Sequence, residues 1–166
     1  MSVNFAPLRV LIVEDHLFMR QVLRAILMGI GFQLIEDAPD GERALQILKE
    51  VKVDLAFVDY HLGGLDGAEF TRVLRTGSDS PAPFLPIIGL TADAQKSTIM
   101  RFINCGADEV LAKPVAAAAV WSRIHAIVQR RRSFVRGQAY FGPDRRRRII
   151  DPADGVERRD VPAMPA

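Results

Sequence analysis

Apolar positions along the chain follow two alternating patterns. Val10-Leu11-Ile12-Val13, Leu55-Ala56-Phe57-Val58 and Ile87-Ile88-Gly89-Leu90 are short runs without a polar break, as expected for strands covered on both faces. Phe32 to Ile35 is a weaker run of the same kind, and Val110-Leu111-Ala112 a short fifth one. Between the first two runs, Met19, Val22, Leu23, Ile26, Leu27 and Ile30 recur at the three-and-four spacing of one helix face, with Gly29 and Gly31 as the stop. Ala44, Leu45, Ile47, Leu48 and Val51 mark a second helix, and Phe70, Val73 and Leu74 a third. Ile99, Phe102 and Ile103 mark a fourth, which Gly106 ends in a left-handed conformation. The fifth starts after Pro114 and is expected to bury Val120, Trp121, Ile124, Ile127 and Val128. Strand–helix alternation of this kind predicts an α/β fold: a doubly wound parallel sheet with helices on both faces. Thr76 to Pro86, with Gly77, Pro81 and Pro83, reads as a surface loop.

Composition narrows the class. A chain of 166 residues, 49% apolar and 25% charged, can build one core, which excludes global disorder. No apolar stretch reaches the ~20 residues of a membrane helix, and the N-terminus lacks the pattern of an export signal. The single Cys105 excludes a disulfide framework and a cysteine zinc site, so a cytoplasmic protein is expected. Charge is unevenly spread: residues 1–128 hold 12 Lys+Arg against 15 Asp+Glu, and residues 129–166 hold 10 Arg against 5 acids. The body is acidic and the tail basic.

In an open parallel sheet, ligands bind beyond the carboxyl ends of the strands. The polar residues at those ends are Glu14-Asp15, Asp59, Thr91 and Lys113. Three converging carboxylates raise one another's pKa unless a cation neutralises them. An all-oxygen set near a phosphate favours Mg²⁺, and a lysine beside it suits phosphoryl chemistry, with a carboxylate oxygen as nucleophile.

Val13-Glu14-Asp15-His16, the segment Asp59 to Gly67, Leu90-Thr91-Ala92 and Leu111-Ala112-Lys113-Pro114 together resemble the receiver domain of two-component response regulators, over roughly residues 7–131. The resemblance is to stand-alone, chemotaxis-type receivers. It implies a flavodoxin-like five-stranded sheet of order 2-1-3-4-5. It implies Asp59 as phosphoacceptor, supplied by a sensor histidine kinase or a histidine phosphotransfer protein, with Mg²⁺ on Glu14, Asp15, Asp59 and the backbone carbonyl of His61. Thr91, the Ala92 N–H and Lys113 would bind the phosphoryl group, and the Lys113–Pro114 bond would be cis. Two positions depart from the pattern. Val110 stands where many receivers carry an aromatic switch residue, and Gly63 where the family usually has proline, which predicts a more flexible loop.

Other residues have plainer readings. Asp66 precedes Gly67 and a helical segment and reads as a cap or turn residue. Either Thr91 or Asp93 can cap the fourth helix. His16 reads as a rim residue, His125 as a helix-face residue, Cys105 as a small packed residue and Trp121 as core. The imidazole of His61 has two candidate roles, gating the pocket or influencing dephosphorylation.

The predicted receiver spans residues 1–132, and residues 133–166 form an Arg-rich extension, largely non-globular. Within it Tyr140, Phe141, Gly142 and Pro143, with Arg145, Arg146, Arg147 and Arg148, form a candidate docking element. The aromatics would pack on the receiver or on a partner while the arginines engage carboxylates or phosphates. Nucleic-acid binding is not expected, because no reading motif accompanies the arginines. The expected output is contact with a downstream protein, not catalysis. A phosphorylation-independent adaptor is the alternative. A magnesium-dependent aspartyl phosphatase is a remoter one, because His61 stands where its general acid would be.

Overall fold

The computed structural model describes residues 3–145. Five strands, β1 (Arg9–Val13), β2 (Leu34–Ala38), β3 (Leu55–Asp59), β4 (Ile87–Thr91) and β5 (Glu109–Ala112), alternate with α1 (Leu17–Ile30), α2 (Gly41–Glu50), α3 (Gly67–Thr76), α4 (Lys96–Asn104) and α5 (Ala117–Arg130). All strand pairs of this sheet are parallel, in the order β2-β1-β3-β4-β5. This is the flavodoxin-like order.

The two-residue period of a strand divides each apolar run between two cores. Leu11, Val13, Ala56, Val58 and Ile87 pack with Ala44 and Leu48 of α2, Phe70 and Leu74 of α3, and Phe102 of α4. Val10, Ile12, Leu55, Phe57, Ile88, Leu90 and Leu111 pack with Leu23 and Leu27 of α1 and Val120, Ile124 and Ile127 of α5. Helices cover both faces, so β3 and β4 are buried throughout and their sequences need no polar alternation. In β4, a Cβ added at Gly89 would lie 2.9 Å from the Phe102 ring, so this glycine makes the room into which α4 sinks its one fully buried side chain.

Two sequence expectations change here. The second strand begins at Leu34, not Phe32, because it is an edge strand held by charges. Arg9 pairs with Glu36, and Arg24 donates to Asp37 Oδ2 at 2.6 Å and to the Ile35 carbonyl at 3.1 Å. Phe32 instead turns under α1 and stacks on Phe5 at 4.9 Å. Trp121 and Val128 are not core: they are 43% and 45% exposed. The buried stripe of α5 is only Val120, Ile124 and Ile127, and the residue after Val120 falls at its rim. Trp121 rests edge-on against Phe5 at 5.6 Å, with His125 stacked on it.

The chain does not leave the body at Arg132. An antiparallel hairpin of β6 (Phe134–Arg136) and β7 (Phe141–Pro143), within the first part of the expected extension, folds back against the body; residues 146–166 of that extension lie outside the described residues. Phe134, Phe141 and Phe84 of the α3–β4 loop form a triangle of rings 5.3–5.6 Å apart, with Phe134 fully buried. Beneath them Arg75, the penultimate residue of α3, is also buried. It donates to the carbonyls of Gly106 (3.0 Å) and Pro83 (2.9 Å) and pairs with Asp108 at 3.2 Å, its guanidinium 4.9 Å from the Phe134 centroid. Burial pulls the Arg75 pKa down to about 10, with Asp108 opposing, which leaves it charged at neutral pH. Gly106, at φ +105°, and Gly142 let the two backbones meet: a Cβ on Gly142 would lie 2.9 Å from the Gly106 Cα.

Candidate functional site

The carboxyl ends of β1, β3, β4 and β5 meet at the edge of the sheet opposite the hairpin. Val13 pairs in register with Val58, and Asp59 with Leu90, so Glu14, Asp59 and Thr91 emerge from neighbouring strand ends. Lys113 is drawn in beside them when its N–H donates to the Thr91 carbonyl at 2.7 Å. The Lys113–Pro114 peptide is cis.

Lys113 Nζ lies 2.6 Å from Glu14 Oε2 and 2.8 Å from Asp59 Oδ1, with both carboxylates almost fully buried. The contact to Asp59 has the distance of an ion pair but not the direction of a hydrogen bond, and Oδ1 has no other partner. Carboxylate oxygens of Glu14, Asp15 and Asp59 all lie within 4.8 Å of one another. Asp15 alone of the three is exposed. Burial raises the Glu14 pKa, the neighbouring Asp59 raises it further, and the hydrogen bond from Lys113 opposes both. Burial works against the Lys113 ammonium, but its contacts with Asp59 and Glu14 prevail and its pKa rises. Three carboxylates with one ammonium leave an excess of two negative charges when all are ionised. The oxygen-only donor set, with one buried oxygen poorly satisfied, fits a hard divalent cation.

The other predicted residues lie on β4, on β5 and on the loops that follow β3 and β4. Thr91 is buried, and its hydroxyl exchanges hydrogen bonds with the Asp93 backbone, accepting from the N–H at 3.0 Å and donating to the carbonyl at 3.1 Å. Asp93 in turn accepts from the Gln95 N–H and the Thr98 hydroxyl at the start of α4. Ala92 is exposed on the same loop, as is His61 on the loop after β3, its ring 5.2 Å edge-on to Tyr60. Gly63 has φ +69°, a conformation closed to proline. Val110 pairs with Gly89 and packs half-buried against the core. Asp66 caps α3, accepting from the Glu69 N–H at 2.8 Å.

Several contributors were not singled out in the sequence. Arg20, on the first turn of α1, donates to the carbonyls of Glu14 (2.6 Å) and Asp15 (3.2 Å) and pins the acidic pair from behind. A Cβ on Gly67 would lie 2.0 Å from the Asp59 carbonyl oxygen, so only glycine lets α3 start this close to Asp59. Tyr60 and Arg101 join the β3–α3 loop to α4 at 2.9 Å. An arginine one turn past a strand-end acid pair, and a glycine opening the next helix, are the signals that would have found the first two.

Of the tail residues, Phe141 is buried in the hairpin, and the Tyr140 hydroxyl donates to the Pro143 carbonyl at 2.7 Å. The Arg145 guanidinium sits 4.5 Å from the Tyr140 ring and donates to Asn104 at 2.6 Å. These aromatics pack on the body itself, away from the acidic site. Arg146, Arg147 and Arg148 lie outside the described residues.

The family model described as the response regulator receiver domain matches residues 10–125. Chemotaxis protein CheY-3 of Vibrio cholerae is 28% identical over 123 residues, which cover 74% of this chain and 93% of that protein. A response-regulator crystal structure from Chloroflexus aurantiacus is 30% identical with a TM-score of 0.67, covering 74% of this chain and 98% of its own. The CheX–CheY–BeF3–Mg²⁺ complex from Borrelia burgdorferi matches at 25% identity and a TM-score of 0.65, over 74% of this chain and 90% of its own.

Proposed function

The chain belongs to the response regulator receiver family, and from that premise we propose that it accepts a phosphoryl group on Asp59 and passes on the signal by contact with another protein. The observation that carries the reading is the placement of one ammonium between two buried carboxylates, with a third carboxylate at the rim. A sensor histidine kinase or a histidine phosphotransfer protein is the donor this chemistry calls for. An Asp59 carboxylate oxygen attacks the phosphorus of the donor's phosphohistidine. The P–N bond breaks, and its electron pair leaves with the imidazole. Lys113, already charged, turns from Asp59 toward the incoming phosphoryl oxygens. The Thr91 hydroxyl exchanges Asp93 for a phosphoryl oxygen, and the Ala92 N–H faces the same group.

Glu14, Asp15, Asp59 and the His61 carbonyl would hold Mg²⁺, which offsets the charge of the carboxylates and the phosphoryl group. The role is signalling, with no substrate turned over in bulk. Among the described residues no helix is long and apolar enough to cross a membrane, and the proposed setting is the cytoplasm. Residues 1–132 form the signalling unit, and the hairpin that follows is its appendage.

A second reading, an adaptor indifferent to phosphorylation, draws on Val110, which offers no ring to follow Thr91. Beryllofluoride with Mg²⁺, a phosphoryl mimic, separates the two. Amide signals around Asp59, Thr91 and Lys113 should shift in the parent and stay fixed in Asp59→Asn. Accompanying shifts in α4 and α5 support signalling, and shifts confined to the pocket support the adaptor. A parent that does not respond to the mimic refutes the phosphoacceptor reading.

A further inference from the structure

Tyr60 follows Asp59 directly and reaches α4 with both ends of its side chain. Its hydroxyl accepts a hydrogen bond from Arg101 Nη1 at 2.9 Å, and its ring meets the buried Phe102 edge-on at 5.6 Å. Arg101 Nη2 pairs with Asp66 Oδ2 at 2.7 Å, and Asp66 caps α3. The Tyr60 backbone is itself fixed, its N–H donating to Leu90 and its carbonyl accepting from Gly67, both at 2.8 Å. The loop leaving the acidic site is thus clasped to the middle of α4. A separate chain of bonds, Thr91 to Asp93 to Thr98, ties the start of α4 to the same site. At position 110, where a ring would link β5 to the site, there is only Val110 packed on the core.

Resting on the phosphoacceptor reading above, we propose that the Tyr60–Arg101–Asp66 clasp is the latch that holds α4 in its resting position, so that this clasp, and not residue 110, sets how readily the helix moves once Thr91 responds to the state of Asp59. When Thr91 turns to the phosphoryl group it releases Asp93, and the first turn of α4 loses its tie to the site. The clasp is then what still opposes displacement of the helix. A contact made only in the resting state weakens binding of any ligand that favours the other state, and its removal strengthens that binding by the same factor.

Tyr60→Phe keeps the ring and deletes the hydroxyl, and Arg101→Ala acts at an exposed helical position, so both variants retain the fold. Without the mimic, amide signals of Lys96–Asn104 in each variant should move part of the way toward their positions in the beryllofluoride–Mg²⁺ form of the parent. Their apparent dissociation constants for beryllofluoride in Mg²⁺ should fall about three- to tenfold, the range for one hydrogen bond at an exposed site. The double variant should gain little over Arg101→Ala, because the two side chains act as one unit. Signals of α4 that coincide with the parent's, or an affinity that is unchanged or weaker, overturn the latch while leaving the phosphoacceptor reading in place. A parent that itself binds no mimic removes that reading, and the latch with it.

Discussion

Replacing Phe134 with alanine tests whether the C-terminal hairpin is part of the folded body. The ring is fully buried, touches Phe84 and Phe141, and has the guanidiniums of Arg75 and Arg131 at 4.9 and 5.4 Å from its centroid. Deleting a buried phenylalanine side chain costs about 3–5 kcal/mol, because the transfer energy is lost and the cavity only partly collapses. The cation–ring contacts place the expectation in the upper half of that range, at about 4 kcal/mol. Arg75 would keep its carbonyl and Asp108 partners but lose its cover, so water would reach a charge that is now sealed. With a urea slope of about 2 kcal/mol/M, the midpoint should fall by about 2 M in one cooperative transition. Trp121, the single tryptophan, packs on Phe5 at 5.6 Å and reports unfolding of the body, not of the hairpin alone. Phe134→Leu should lose only about 1–1.5 kcal/mol. A loss below about 1 kcal/mol in the alanine variant is what a solvent-facing ring gives, and would refute the docked hairpin.

Three further outcomes follow from the site. Gly67→Ala forces a Cβ to within 2.0 Å of the Asp59 carbonyl, so the start of α3 must back away and beryllofluoride binding in Mg²⁺ should weaken about tenfold or more, measured by NMR titration. Lys113 is held charged beyond its ordinary 10.5, so its stabilising contribution is complete below that pH and fades as pH rises through its folded value. The alkaline stability profile of Lys113→Met should lack that decline, and a profile parallel to the parent's contradicts the pairing. The Glu14 carboxyl titrates above its ordinary 4.5 because of burial first and Asp59 second. Its carboxyl carbon signal in Asp59→Asn should therefore titrate at lower pH than in the parent; no movement means the two carboxyls are not neighbours.

How much of this the sequence carries depends on how local the cause is. β1, β3 and β4 were legible because a parallel strand covered on both faces is apolar at every position. The edge strand β2 is poorly legible because Glu36 and Asp37 sit in it on the strength of Arg9 and Arg24, partners on other elements. Trp121 reads as core in the sequence but is exposed in the fold, because periodicity locates a helix stripe but not its width. The acidic site could be read since strand ends in a parallel sheet converge by topology alone, which places Glu14, Asp59, Thr91 and Lys113 without further information. Arg101 could not: its partners Tyr60 and Asp66 lie on another element. Of the hairpin only the aromatics Tyr140 and Phe141 are legible as residues that pack; its two three-residue strands have no measurable period, and their burial depends on Arg75, far away in the chain.

Signalling by this chain requires that a covalent bond to phosphorus form at the carboxylate that Lys113 holds. Intact-mass spectrometry of the full chain after incubation with acetyl phosphate and Mg²⁺, beside Asp59→Asn treated identically, reads this directly. The parent should gain the mass of one phosphoryl group and lose the gain when Mg²⁺ is chelated before the phosphodonor is added. No gain in the parent, or an equal gain in Asp59→Asn, contradicts the account.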